Sequence, residues 1–481
     1  MLMVAKSNRS LVTISLTLAL AGVMQGCGTT PVSGLVSSPL PVPASYPQVT
    51  GDNTAKAAPD VAWEQVLPDP RFQKLMALAL ENSRDLRLAS LRVEEARAAW
   101  GIQRADLFPS IGATAGGNRA RVPGDINLTG QSLITSQYQV GLGMNQWELD
   151  LWGRVRSLNE AALQRYLSAD EMRRAATLSL FSQLAQGWLG LVELDERLTL
   201  ARAEVASRQE TLRIFTRRFE VGAASKFDLE QVRVLSTQAD MLVAQLEQQR
   251  AQQINGLTLL AGSPVADIAD GVRLDNIVVA EIGESLPSEL LTARPDILAA
   301  ERDLLAADAN VSAARAAFFP SITLTASAGT ASAELGGLFD AGSRAWSWAP
   351  SITLPIFTAG RLRASLDVAQ LRREQAVASY EKNIQSAFRD VADALAARQW
   401  LAQQLKAQEA ALAAQRERAR LATLRYDAGS STFLDVLDAR RDLLTAEQQR
   451  AQLQRALLSA RVAVFAALGG GSGVLESAGG Q

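Results

Sequence analysis

Residues 104–111 read Arg104-Ala105-Asp106-Leu107-Phe108-Pro109-Ser110-Ile111, and residues 315–322 read Arg315-Ala316-Ala317-Phe318-Phe319-Pro320-Ser321-Ile322. Six of these eight positions are identical, at an offset of 211 residues. The same offset sets Asn82-Ser83-Arg84-Asp85-Leu86 against Ala293-Arg294-Pro295-Asp296-Ile297. Further along, Gly153-Arg154-Val155-Arg156 matches Gly360-Arg361-Leu362-Arg363, and Arg218-Phe219-Glu220-Val221-Gly222 matches Arg425-Tyr426-Asp427-Ala428-Gly429, now at an offset of 207. Asp228 and Asp435 share that offset, as do Arg233 and Arg440. Chance similarity between two Ala/Arg-rich helices would not reproduce the Pro, Gly and aromatic positions as well. The chain is therefore a tandem repeat, with a longer loop between Ile111 and Gly153 in its first half.

Two kinds of segment alternate within each half. From Arg154 to Phe219 there is no proline, and Leu184, Leu191, Leu198, Val205, Leu212 and Phe219 recur every seven residues, the period of a supercoiled helix. The equivalent stretch from Arg361 to Tyr426 carries Val377, Tyr380, Ile384, Phe388, Val391 and Leu395 at spacings of three and four. At about 1.5 Å per residue each helix spans roughly 100 Å. Each reaches a Gly turn, at Gly222 or Gly429, and returns through a second helix, Phe227 to Leu260 or Phe433 to Leu468.

The other segments are poor in charge. Ile126–Trp147, Ala316–Ala333 and Ala345–Gly360 hold no charged residue in a chain that is 20% charged. Tyr138, Val140, Leu142 and Met144 interleave with Gln139, Gly141, Gly143 and Asn145; Ile322, Leu324, Ala326 and Ala328 interleave with Ser321, Thr323, Thr325 and Ser327. Trp346, Trp348, Ile352 and Leu354 interleave with Ser347, Ser351 and Thr353, and a Gly/Ala-rich fourth segment runs from Ser110 to Arg121. Apolar and small-polar residues alternating with period two over about ten residues form the pattern of transmembrane barrel strands. A soluble β-sandwich alternates in the same way. Four strands cannot close a barrel, and an open edge in lipid leaves backbone groups unpaired. Two copies would give eight strands and three would give twelve; arithmetic alone does not choose.

Composition excludes most chemistry. The 481 residues contain no histidine, which removes the usual general base, the Ser-His and Cys-His triads and most zinc and non-haem iron sites. With 48 basic and 50 acidic residues the net charge of -2 offers no field for nucleic acid. The single cysteine, Cys27, excludes an intramolecular disulfide. Lys6 and Arg9 precede an apolar stretch from Leu11 to Met24, too short to span a membrane and right for an export signal. Residues 29–59, with Pro31, Pro39, Pro41, Pro43 and Pro47, read as an extended tether.

Met24-Gln25-Gly26-Cys27-Gly28 resembles a bacterial lipoprotein site, although that motif usually has Leu where Met24 stands and a small residue in place of Gln25. Cleavage elsewhere would leave an exported protein with a free thiol. Gly28 is not the Asp that often retains lipoproteins in the inner membrane, so the resemblance favours the outer membrane. Leu286-Pro287-Ser288-Glu289-Leu290-Leu291-Thr292-Ala293-Arg294-Pro295-Asp296-Ile297, Phe319-Pro320-Ser321-Ile322, Leu354-Pro355-Ile356-Phe357 with Gly360-Arg361, and Thr432-Phe433-Leu434-Asp435-Val436-Leu437-Asp438-Ala439 carry a larger resemblance. Together with two β-hairpins set between helical hairpins, they resemble the TolC-like outer-membrane efflux channels, in particular their lipoprotein (NodT-like) branch.

The resemblance implies an α+β membrane protein. Two coiled-coil hairpins and four transmembrane strands per chain would close as a trimeric twelve-stranded β-barrel continuous with an α-helical tunnel. Its parts would be a signal peptide (1–26), an acylated tether (27–60), a first repeat (61–262; β-hairpin about 110–148, helical hairpin about 154–260), a second repeat (263–469; β-hairpin about 320–355, helical hairpin about 361–468) and a C-terminal tail (470–481). A waist would form from roughly Ser263 to Leu290 and the C-terminal region. The implied function is a passive exit duct for drugs or other small toxic compounds, without catalytic activity, cofactor or metal. Its partners would be two further copies of the chain, outer-membrane lipid, a periplasmic adaptor (membrane fusion protein) and an inner-membrane pump of the proton-driven resistance-nodulation-division type, with no nucleic acid. A protein-secretion duct is the alternative within the family. A periplasmic adaptor lipoprotein is the alternative outside it, but adaptors carry one hairpin and a lipoyl-like domain.

Asp435 and Asp438 lie three apart at the start of a returning helix, hence on one face. As acids in a first turn they complement the helix dipole, with Thr432 as N-cap. By resemblance they match the family's periplasmic aperture, where three copies ring the tunnel and select cations, and Asp228 matches the corresponding place in the first repeat. Tyr426 matches a residue that ties neighbouring coils shut, while Ser431 stands where some members carry an Arg in that network. The tips at Gly222 and Gly429 would meet the adaptor. An acid/base hydrolase built on Asp435 and Asp438 lacks any cleft or aromatic platform in the sequence.

Overall fold

The seven-residue columns and the Gly turns produce two long helical hairpins. In a computed structural model, which describes residues 61–127, 130–265, 268–282 and 290–471, the main elements are α1 (Pro70–Asn82), α2 (Arg84–Ala105), β1 (Ile111–Val122), β2 (Leu133–Glu148), α3 (Arg154–Glu220) and α4 (Lys226–Ala261). The second half contains α5 (Pro295–Ala316), β3 (Ser321–Ser332), β4 (Arg344–Thr353), α6 (Arg361–Asp427) and α7 (Phe433–Ala467). The signal segment, Cys27, the tether through residue 60, residues 283–289 of the expected waist and the tail from residue 472 lie outside the described residues. No described helix is long and apolar enough to cross a membrane.

Helices α3 and α6 each run 67 residues, about 100 Å. The column predicted for α3 is buried at Leu184, Leu191 and Leu198 and then turns outward, until Phe219 is 40% exposed. Beyond Leu198 the buried column becomes Ala201, Arg208 and Phe215. This move by three residues turns the buried line in the same sense as helix drift rather than back against it, so it follows the partners at the tip, where Phe215 packs with Leu229, Val232 and Leu437.

Each returning helix ends against the start of its repeat. Gly262 (φ 69°) and Gly469 (φ 73°) terminate α4 and α7 in the left-handed conformation. A Cβ on Gly262 would stand 2.1 Å from the Asn82 carbonyl oxygen, and one on Gly469 would stand 2.8 Å from that of Ala293. Both the dihedral and the close approach therefore require glycine. Beside the second junction, Arg294 precedes Pro295 at the first turn of α5 and donates to Asp296 (3.0 and 2.7 Å), to the Ala467 carbonyl (3.0 Å) and to Asp390 (3.5 Å). Burial works to lower the Arg294 pKa, but the bonds and charge of Asp296 and Asp390 outweigh it and hold it raised. The Arg-Pro-Asp motif thus staples the second repeat to the end of α7.

At the waist, Phe72 of α1 packs on Phe181 and Trp188 of α3 (both 5.7 Å between centroids), and Phe181 packs on Phe465 of α7 (5.4 Å). The Trp188 indole donates to the Ile268 carbonyl (2.8 Å), and Leu274, Ile277 and Val279 are buried nearby in sequence order. Trp63–Val66 and α1 also join this cluster, beyond the later segments that the resemblance implies for a waist; Ala280 N–H donates to the Val66 carbonyl (3.0 Å).

The strands form one antiparallel sheet in the order β1-β2-β3-β4. Its central pair joins the two repeats, setting Leu142 against Ala328 and Met144 against Ala326. Directly paired residues share a face. One face carries Ile111, Ala113 and Ala115, then Tyr138, Val140, Leu142 and Met144, then Ile322, Leu324, Ala326 and Ala328, then Trp346, Trp348 and Ile352. The other carries Thr114, Gln139, Gly141, Thr323, Thr325, Ser327 and Ser347, with Ser327 and Ser347 hydroxyls 2.7 Å apart. A bulge between Met144 and Trp147 inserts one residue and brings Trp147 onto the apolar face opposite Leu324. The outer edges of β1 and β4 remain unpaired among the described residues.

Repeat symmetry explains a difference between α2 and α5. Helix α5 lies between α3 and α6, and its Ala299 and Ala313 are buried. Their counterparts on α2, Leu88 and Ile102, are 53% and 73% exposed. α2 packs on α3 as α5 packs on α6, but α2 lacks the equivalent of the packing of α5 on α3, the long helix of the preceding repeat, so the α6 of a second copy must supply it.

Candidate functional site

The ends of the two hairpins farthest from the sheet are built alike. Helix α3 closes with Gly222 (φ 75°), where Ala223 N–H bonds the Arg218 carbonyl at 2.7 Å; α6 closes with Gly429 (φ 70°), where Ser430 N–H bonds the Arg425 carbonyl at 2.9 Å. These six-to-one bonds need a left-handed residue at the turn. The chain then re-enters a helix through a cap. Asp228 accepts from Ser225 N–H (3.3 Å) and Oγ–H (2.7 Å), and its own N–H donates to Ser225 Oγ (3.1 Å). Asp435 accepts from Thr432 N–H and Oγ1–H, both at 3.1 Å.

The tips belong to one packed unit. Phe215, Leu229 and Val232 of the first hairpin and Leu437 of the second form a buried cluster, with Phe433 packed against it. Phe433 lies 4.9 Å from Phe215, and Tyr426 meets it edge-on at 5.0 Å. The Arg218 guanidinium sits 5.6 Å over Phe215 and donates from Nη1 to the Tyr426 hydroxyl at 2.6 Å. Tyr426 is thereby tied to the first hairpin. Arg218 stood out in the sequence only as a repeat-matched residue; its meeting with Tyr426 is a tertiary fact with no local signal. Ser431 has a buried hydroxyl without a hydrogen-bond partner among the described residues.

The three aspartates differ. Asp228 and Asp435 are exposed, engaged with their own caps and without an ion pair among the described residues. Asp438 is half-exposed and pairs with Arg441 at 3.2 Å. One turn on, Arg418 and Arg441 hold the Asp442 carboxyl below the usual carboxylate range. The N-terminal turns of α4 and α7 flank the shared cluster, so all three aspartates lie at the same end of the chain. Of the two aspartates expected from the sequence to complement the start of α7, Asp435 forms the cap with Thr432 while Asp438 pairs with Arg441; Asp228 forms the matching cap with Ser225 at the start of α4.

Towards the waist, charged groups join the hairpins. Glu193, 6% exposed, accepts from Arg455 Nε of α7 (2.9 Å) and from Arg197 Nη1 (3.0 Å). Arg450 of α7 reaches Glu196 at 3.6 Å and also pairs with Asp275. Nearer the tip, Arg440 donates to Ser207 Oγ at 2.8 Å. Glu193 and Arg197 are one helical turn apart, but nothing in the sequence marks the contacts to α7, whose partners are more than 170 residues apart.

The model of the family described as "Outer membrane efflux protein" matches residues 75–263 and 286–470. A probable efflux pump outer membrane protein, TtgC of Pseudomonas putida, is 41% identical over 470 residues, covering 96% of each chain. The outer membrane protein OprJ of Pseudomonas aeruginosa is 41% identical over 435 residues, 90% of each chain. Among solved structures, the open state of the Neisseria gonorrhoeae MtrE outer membrane channel aligns with a TM-score of 0.82 at 40% identity, covering 90% of this chain and 96% of that one. CusC, whose structures concern folding and transmembrane channel formation, aligns at 0.80 with 36% identity, over 90% and 98% of the two chains.

Proposed function

This chain belongs to the outer membrane efflux protein family, and we propose that it is the duct through which small toxic organic compounds, drugs or solvents, leave the cell. It is an outer-membrane channel: three copies join their sheets edge to edge in a twelve-stranded barrel continuous with a helical tunnel. The observation that carries the duct is the two-faced sheet, apolar outside and small-polar inside, with both edges open. It fits a barrel wall around water. No step of bond chemistry is required of the protein.

As an efflux pump's outer-membrane component it works with a periplasmic adaptor and an inner-membrane pump. In our reading the adaptor grips the tips at Gly222 and Gly429, the pump is proton-driven and of the resistance-nodulation-division type, and Cys27 carries the lipid anchor. Asp435 and Asp438, with Asp228 beside them, ring the periplasmic aperture; the unpaired Asp435 and Asp228 carboxylates supply its negative field, and Tyr426 helps hold it shut. The test is a deletion strain grown on a panel of antibiotics, dyes and solvents and complemented with the intact gene. Hypersensitivity to several such compounds, reversed by complementation, is the expected result. A strain that tolerates all of them while failing to secrete a protein would replace this reading with secretion.

A further inference from the structure

The outward face of the sheet carries charge at three described strand positions, all at one end. Arg119 and Arg121 continue the apolar column of β1 above Ala115 and Gly117, and Arg344 continues that of β4 above Trp346 and Trp348. All three are exposed, and none pairs with a carboxylate among the described residues. Charge on a lipid-facing wall is costly at mid-membrane and tolerable at the interface. These residues therefore mark an edge of the apolar band.

Register shows which edge it is. Ile111, Met144, Ala326 and Trp348 form one row across the sheet. β1 lies wholly on one side of that row, reaching Val122, whereas β4 extends on both sides, from Arg344 to Thr353. This slide of the strands from β1 to β4 is the stagger that tilted strands need to close. Arg344, the first residue of β4, and Arg119 and Arg121, near the last residue of β1, thus belong to the same rim. The rim lies at the hairpin turns, opposite the ends that enter the helices, and hence in the outward leaflet. When copies close, the β4 edge of one meets the β1 edge of the next. Each seam then places Arg344 beside the next copy's Arg119 and Arg121, with Trp346 and Tyr138 just below them.

We propose that each of the three seams binds a lipid of the outward leaflet through a phosphate monoester held by Arg344 of one copy and Arg119 and Arg121 of the next. Guanidinium forks bind phosphate oxygens in pairs of parallel hydrogen bonds. A monoester carries up to two negative charges and three acceptor oxygens, which suits three cations better than a singly charged diester. The acyl chains lie on the apolar column beneath. The lipid closes each seam where the two edge strands are least supported by their own chains.

The probe is lipid A, added to the delipidated trimer and counted by native mass spectrometry. Wild type is expected to retain up to three molecules per trimer, and R119Q/R121Q/R344Q at least fivefold fewer, with the trimer intact. Dephosphorylated lipid A and phosphatidylglycerol should be retained poorly, and millimolar inorganic phosphate should not displace bound lipid A, because the chains contribute. Equal retention by the triple variant, or equal binding of either control lipid, overturns the proposal. Displacement by inorganic phosphate would also overturn it, reducing the site to an anion site. A triple variant whose trimer weakens equally without lipid, while its lipid count is unchanged, would assign the arginines to the loop carboxylates of the next copy. Should the triple variant not assemble, competition on wild type decides: displacement of labelled lipid A by an equal amount of the dephosphorylated form overturns the proposal.

Discussion

Tyr426→Phe removes one hydroxyl and leaves the ring on Phe433 in place. The lost contact is the 2.6 Å hydrogen bond from Arg218, which joins the first hairpin to the second within a chain. A hydrogen bond to a charged group contributes about 1.5–3 kcal/mol when shielded from water. Arg218 is exposed and Tyr426 half-buried, so about 0.5–1 kcal/mol remains after screening. That corresponds to a two- to fivefold change in the closed-to-open ratio of one tip, at tenfold per about 1.4 kcal/mol. If three tips open together the energies add, and open probability should rise by roughly 10- to 150-fold. Single-channel recording of purified trimers in planar bilayers measures this directly. Arg218→Ala should open the channel further, because it also takes the cation from the Phe215 ring. Adding Tyr426→Phe to Arg218→Ala should then change little. An unaltered open probability in Tyr426→Phe, or strictly additive effects in the double variant, would refute the hydrogen bond as a tie across the hairpins.

Replacing Asp435 and Asp438 together by Ala should raise conductance, lower cation preference and weaken block by a trivalent cation on the tip side; identical conductance and block would place the aperture elsewhere. Glu193→Ala leaves Arg455 and Arg197 facing each other without their shared carboxylate and should destabilise the chain by about 2–4 kcal/mol, read as a lowered temperature of trimer dissociation. Gly262→Ala must place a methyl group 2.1 Å from the Asn82 carbonyl at φ 69°; a loss of about 2 kcal/mol or more is expected, with Gly469→Ala milder, and thermal melts of the two variants test the order. Asp442, held below the usual carboxylate range by Arg418 and Arg441, contributes stability that is complete above about pH 4 and fades as pH falls through its lowered pKa; acid titration of Asp442→Asn against wild type should show the difference only in that acid window.

Legibility in this sequence follows the range of each interaction. The helical hairpins were readable because proline-free heptads, a Gly in the left-handed turn and a Ser or Thr with a following Asp are all local signals: the expected return at Phe433 coincides with the first residue of α7, and that at Phe227 lies one residue inside α4. The strands were readable by alternation, and even the weakest segment, Ser110 to Arg121, forms β1 at Ile111–Val122. What local pattern could not supply was pairing across the repeats. The fading of the heptad at Phe219, the entry of α1 into the waist, the meeting of Arg218 with Tyr426 and the Glu193–Arg455 bridge each depend on how one hairpin turns against the other. The internal repeat partly bridges that gap. It lets the buried face of α5 predict a missing neighbour for the exposed Leu88 and Ile102 of α2, just as the unpaired edges of β1 and β4 predict missing strands. Helix faces and sheet edges thus ask for the same thing, another copy placed as the next repeat in a ring. The oligomer is the continuation of a symmetry already written once inside the chain.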